Sequence, residues 1–134
     1  MNFIELQEEY KTCILSIDRE HEIMAGLVNS IYDAMDKNVK SVLLPKLNIL
    51  LGSVEGHFAN EEKLMTKNKF PGYYSHKLEH DRFYNQISTK VREYERDDTP
   101  IGIDDLKGIR HWFFNHIEIK DKKLCAFLTE KGIS

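Results

Sequence analysis

The chain has 134 residues, enough for one domain with its own core, and its 41% apolar and 31% charged content is ordinary for a soluble globular protein. A net charge of −3 argues against nucleic acid or an anionic membrane surface as partner, and no apolar run approaches the roughly 20 residues of a transmembrane helix. The opening MNFIELQEEYK carries acids where a signal peptide needs a basic start and an apolar stretch, which predicts a cytoplasmic protein. Cys13 and Cys125 are the two cysteines, with no C-x-x-C, and read as reduced small hydrophobes.

Residues 1–16 have weak periodicity and read as an arm packed on the helices after it, partly helical at most. Asp18 is the expected N-cap of the first long helix, whose stripe is His21, Met24, Val28, Ile31 and Met35. Lys37 to Lys40 form a polar connection, and Ser41 is the expected cap of the second helix, with Pro45 in its first turn or just beyond. Leu47, Leu50, Val54, His57, Glu61 and Leu64 then come in steps of three and four. Gly52 and Gly56 lie inside this helix, where a close approach by a neighbouring helix is the expected reason for them.

Pro71-Gly72 marks a turn. The third helix carries Tyr73, His76, His80, Phe83, Ile87 and Tyr94 on one stripe, with Val91 beside it, and closes before Pro100. A fourth begins near Ile103 or Asp104, with Leu106, Ile109, Phe113 and His116 on its stripe and Trp112 and Ile117 flanking. Leu124, Phe127 and Leu128 suggest a short C-terminal helix. With no strand-like alternation, the predicted fold is all-α: an antiparallel up-down-up-down four-helix bundle with an N-terminal arm and a short C-terminal helix, one domain over residues 1–134.

The chemistry sits between His21 and Asp121. His57 and Glu61, and likewise His76 and His80, are four residues apart, so each pair leaves one helix face about one turn apart. His21 and His116 stand on stripes where leucine is the ordinary occupant. One such histidine is usually a hydrogen-bonded core residue. Five imidazoles and a carboxylate in one core are different, since each unpaired polar group there costs about 1–3 kcal/mol. A metal uses those lone pairs and charges.

Asp121 lies five residues after His116, about 140° off its face on an uninterrupted helix, so the chain must end, bend or locally unwind between Ile117 and Lys120 for both to point inward. Seven ligands with two bridging carboxylates and one solvent-derived bridge leave one position open on two six-coordinate irons, and an open position is where a small ligand binds. No H-E-x-x-H is present, and no histidine has the glutamate three residues before it that ferritin-like sites use.

The segments IDREH, HFANEEKLM, FPGYYSHKLEHDRF and WFFNHIEIKDKK resemble, in order, the ligand-bearing motifs of the hemerythrin family in its single-domain bacterial form. The resemblance runs from Ile17 to Leu128 and fills all seven ligand positions. It implies that His76, His80 and His116 hold one iron, that His21 and His57 hold the other, which has the open position, and that Glu61 and Asp121 bridge both with a hydroxo or oxo group. The resemblance also implies that the pair cycles between diferrous and diferric and that the open iron binds dioxygen end-on. Met24, Phe58, Trp112, Phe113 and Ile117 lie within one turn of a ligand and are expected to wall the bound gas from water. Phe113 departs from the leucine that many relatives carry three residues before the histidine, and the arm lacks a tryptophan common among them.

His111 reads as a surface or rim residue. Tyr73, Tyr74 and Tyr84 read first as core, with packing behind the ligands or electron transfer as other uses. The functional expectation is reversible dioxygen binding as carrier, store or scavenger, not an enzyme. The alternatives are a di-iron redox enzyme or a gas sensor acting on oxygen, peroxide or nitric oxide. The stripes offer no clear acid near the open iron for turnover, and 134 residues leave little room for a sensor's output domain. A redox or delivery partner is left open.

Overall fold

The computed structural model describes residues 3–12 and 14–134. Four long helices and a C-terminal one carry the fold: α1 (Leu15–Ala34), α2 (Lys40–Lys67), α3 (Tyr73–Asp97), α4 (Ile103–His116) and α5 (Lys122–Glu130). Among the described residues there is no strand. The bundle and its arm and short C-terminal helix are as the periodicity predicts. Cys13, read as a reduced hydrophobe, lies outside the described residues, while Cys125 is free and buried. Burial pushes the Cys125 thiol up to about 12, so it is an inert packing group.

The helix starts differ from expectation. The α1 helix begins at Leu15, with Ile14 as an uncapped N-cap. Asp18 therefore lies inside the first turns, and its carboxylate reaches back to accept from the Thr12 backbone N–H at 2.9 Å and the Thr12 hydroxyl at 2.8 Å. It fastens the arm instead of capping the helix. The α2 helix starts at Lys40 after Val39, so Ser41 is already helical. Lys40 donates to the Glu95 carbonyl at 2.9 Å and pairs with the Asp98 carboxylate, which ties the start of α2 to the end of α3.

Two apolar clusters hold the layers together. The larger runs along the bundle through Met24, Val28, Leu50, Val54, Phe58, Phe83, Ile87, Phe113 and Ile117. The smaller closes the other side of the ligand zone with Ile14, Ile17, Met65, Phe70, Leu124, Cys125 and Leu128. Met65, wholly buried, takes the inward place after Glu61, and Leu64 is only half-buried. The arm lies on the bundle as a single 3-10 turn at Glu8–Tyr10 between extended residues. Ile4 is buried and clamped by Asn29, whose side chain accepts from the Ile4 N–H at 2.7 Å and donates to its carbonyl at 2.9 Å. Arg110 donates to the Phe3 carbonyl and lies over its ring.

Gly52 and Gly56 do not mark a close helix approach: a Cβ at either would meet nothing within 4 Å. The crowded glycine is Gly72, where a Cβ would come within 2.7 Å of the Phe70 ring. Tyr74 is not core; it is 83% exposed, and Tyr73 and Tyr84 are half-buried. His111 is exposed, as expected.

Between α4 and α5 the backbone does not break. Residues Ile117–Asp121 form one π turn, in which the Lys122 N–H bonds the Ile117 carbonyl five residues back. A π turn spreads its residues over a wider circle than an α turn, so a five-residue step returns near the starting face. The unwinding predicted between Ile117 and Lys120 is this turn, and it brings Asp121 under His116.

Candidate metal centre

Seven side chains from four helices and the π turn converge at mid-bundle. His21, His57, Glu61, His76, His80, His116 and Asp121 are each at most 3% exposed. Their donor atoms fall into two overlapping groups, each within 4.8 Å: Glu61, His76, His80, His116 and Asp121, and His21, His57, Glu61 and Asp121. The two carboxylates belong to both. Glu61 Oε1 lies 3.0 Å from His76 Nε2 and 3.2 Å from His80 Nε2, while its Oε2 lies 2.8 Å from His57 Nε2. Asp121 Oδ1 lies 3.1 Å from both His76 and His116 Nε2, while its Oδ2 is 2.9 Å from His21 Nε2. Each carboxylate thus presents one oxygen to each group.

Three glutamates that the helix stripes do not reveal complete the centre. Nδ1–H of His57 donates to Glu20 at 3.0 Å, that of His80 to Glu62 at 2.9 Å, and that of His116 to Glu79 at 3.0 Å. Each glutamate is the chain neighbour of a converging residue: Glu20 of His21, Glu62 of Glu61, Glu79 of His80. One residue along a helix is about 100° around it, so each faces the next helix instead of the core. That adjacency is the sequence signal that could have found them.

This bonding fixes the protons on the outer nitrogens and leaves lone pairs on the inner ones. His80 Nε2 and His116 Nε2 then face each other across 3.1 Å. His21 Nδ1 and His76 Nδ1 are buried with no partner, and His21 Nε2, Glu61 Oε2 and both Asp121 oxygens, though 2.8–3.1 Å from a group across the centre, make no well-aligned hydrogen bond. Buried acceptors aimed at common points with no donor between them are costly in a bare protein and are what a cation needs. The donor set is imidazole and carboxylate without thiolate, which suits iron and also zinc or cobalt. The residues present fit a pair of such ions.

In their absence the cluster holds charge by binding protons. Burial and the Asp121 charge push the Glu61 carboxyl up, but His57 and His76 outweigh them and hold it below the usual carboxylate range. Asp121 ends well below its ordinary value too, because His116, His21 and His76 outweigh its burial. Burial pushes His57 down, yet the Glu61 charge and the bonds to Glu20 and Glu61 carry it up to about 10. His76 rises to about 9 against its burial through bonds to Asp121 and Glu61. The same positions therefore attract either protons or metal cations, and metal uptake must release protons.

An apolar cavity of about 20 Å³ touches His21, His57, His116 and Asp121. That volume suits one or two very small molecules, at about 10–15 Å³ for each water-sized occupant. Met24, Phe58, Trp112 and Phe113 line it; Ile117 is fully buried in the core and does not. Phe58 stacks flat on His80 at 3.8 Å and Trp112 on His116 at 4.4 Å. Phe113 meets His21 edge-on at 5.5 Å. Ile4 of the arm also lines this cavity.

The chain is similar to proteins of one family. A bacteriohemerythrin of Pseudomonas aeruginosa (strain LESB58) is 31% identical over 117 residues, which is 86% of this chain and 74% of that protein. A bacteriohemerythrin of Methylococcus capsulatus (strain Bath) is 26% identical over 114 residues, covering 85% of this chain and 87% of the other. A crystal structure of a leucine-to-alanine hemerythrin mutant superposes with a TM-score of 0.92 at 24% identity, covering 96% of this chain and 99% of that one, a likeness of fold. The hemerythrin HHE cation binding domain matches residues 14–128, so the chain belongs to the hemerythrin family.

Proposed function

We propose that this chain binds dioxygen reversibly at a pair of non-haem irons, held by His76, His80 and His116 on one side and His21 and His57 on the other, with Glu61 and Asp121 between them. The observation that carries the reading is the pair of overlapping donor groups, five atoms and four, sharing two carboxylates beside an apolar cavity. When bound, an iron pair with a bridging hydroxo or oxo group would supply the two electrons needed to hold the gas. The chain's own residues do the rest. The four-donor group leaves room for one small ligand. Met24, Phe58, Trp112 and Phe113 exclude water from that place, and the core around Ile117 backs them.

Binding without turnover is the favoured role. The ionisable groups lining the cavity are His21, His57, His116 and Asp121, all of them in the ligand set, so no side chain there is left to deliver a proton as a general acid. No helix of the described residues is long and apolar enough to cross a membrane. A single cytoplasmic domain over residues 1–134, acting as carrier, store or scavenger, completes the reading.

The test is the visible spectrum of the iron-loaded, reduced protein before air, after air and after argon. Reversible binding gives a band that appears in air and leaves under argon. A band that never reverses over repeated cycles would overturn the carrier reading.

A further inference from the structure

The two metal positions are not equally prepared. In the five-donor group, His80 is bonded to Glu62 through Nδ1 and has the Phe58 ring lying flat on it, 3° from parallel. His116 is bonded to Glu79 and has the Trp112 ring flat on it at 11°. The third imidazole, His76, has an unpartnered Nδ1, but its Nε2 bonds Glu61 Oε1 at 3.0 Å. Lys120, 3.6 Å from Glu79, and Lys77, 3.9 Å from Glu62, steady the two outer carboxylates.

In the four-donor group, His57 has Glu20. His21 has no outer carboxylate: its Nδ1 is unpartnered, its Nε2 lies 2.9 Å from Asp121 Oδ2, and its ring contacts are edge-on, with His57 at 67° and Phe113 at 86°. His76 is like it at the outer nitrogen and in meeting His80 and His116 edge-on, at 72° and 80°, so the groups differ in having two outwardly held imidazoles of three against one of two. A ring held at its outer nitrogen and on its face has little rotamer freedom left to lose when a metal binds; an unheld ring must give that freedom up. The outer carboxylate also raises the basicity of the inner nitrogen.

We propose that Glu62 and Glu79, with the rings of Phe58 and Trp112, are positioning residues that set the three-imidazole position in its binding form before metal arrives, so that this position fills first and His21 closes the second. This rests on the two-ion reading above. Loading is then ordered, and a one-metal form with the five-donor position occupied is a stable species. Glu20 alone serves the second position, through His57.

The experiment is a titration of the metal-free protein with cobalt(II) alone, without oxygen, followed by the cobalt absorption bands and by the shifted exchangeable imidazole N–H signals in proton NMR. The expected result is two resolved steps. The first equivalent shifts the N–H signals of His80 and His116, and the second that of His57. His21→Ala abolishes the second step and leaves the first. Glu79→Leu weakens the first step by about ten- to a hundredfold, whereas Glu79→Gln, which keeps an acceptor oxygen for Nδ1–H, restores most of it; a role in packing alone would not separate those two variants. One two-equivalent step, or first-equivalent signals from His57, overturns the proposal. So does Glu79→Gln matching Glu79→Leu. If Glu79→Leu does not fold, the wild-type titration and Glu79→Gln decide the matter alone. Saturation at a single equivalent overturns the two-ion reading itself, and is distinguishable because no second step appears at any concentration.

Discussion

Shortening Phe113 to alanine separates a gas barrier from ordinary packing. The ring is 7% exposed, lies edge-on to His21 and forms part of the cavity wall. A buried Phe→Ala change costs about 3–5 kcal/mol, through lost transfer energy and the void left behind. Here the lower end applies, because the ring already borders a void of about 20 Å³ and its removal merges two spaces instead of opening a new one in a closed core. At about 3–4 °C per kcal/mol for a chain of this size, the melting temperature should fall by roughly 10–15 °C. The functional part is independent of that loss. Removing the ring widens the route to the four-donor position and admits water to it, so gas binding and the decay of the oxygenated spectrum to the diferric one should both quicken severalfold. Stopped-flow mixing with oxygen reads the first, and the fading of the oxygenated band reads the second. A fall in melting temperature with both rates unchanged would show that Phe113 is plain core and refute the barrier.

Anaerobic loading with ferrous iron should give two irons per chain by elemental analysis, and stripping them should lower the melting temperature, because binding energy at a site absent from the unfolded chain is folding energy; equal melting temperatures would count against a buried centre. In the metal-free chain His57 and His76 sit above the ordinary imidazole value, at about 10 and about 9, so the stability they contribute is complete below about pH 6.5 and is lost as pH rises through those values. Thermal melts across the alkaline range should therefore show the metal-free chain weakening more than the loaded one, whose inner nitrogens carry no proton to lose; parallel curves would contradict this. Gly52→Ala and Gly56→Ala should each stabilise by about 0.5–1 kcal/mol, since both sites are helical with open space where the methyl would go, and urea unfolding that shows a loss would mean something packs there after all.

How much of this was legible depends on which residues lie on a stripe. His21, His57, Glu61, His76, His80 and His116 share their periodicity with buried apolar neighbours, so sequence spacing alone aims them inward. The bundle is legible for the same reason. Asp121 was legible only as a contradiction, a ligand candidate off phase by a fixed angle, and that contradiction located the π turn. Glu20, Glu62 and Glu79 were not legible because they stand beside the stripe, where a charged residue is normally solvated; only the packing of the next helix turns them into imidazole partners. Asp18 and Ser41 misled because capping residues are recognised by type, while helix starts here are set by an extended chain ending in Ile14 and Val39. Tyr74 misled because ring content alone suggests burial, whereas its position on α3 leaves it outside.

The π turn does more than aim one carboxylate. It acts as a phase shift of one residue within an otherwise unbroken helical run from Ile103 to Glu130. Everything after it inherits that shift, including Leu124, Cys125 and Leu128, whose burial with Ile14, Ile17 and Met65 closes the far side of the centre. Winding Ile117–Asp121 as plain α-helix with all five residues kept would rotate the whole tail by about 100°. Asp121 and the apolar face of α5 would turn away together. Seating the last helix and completing the ligand set are therefore one event: neither can be gained or lost without the other.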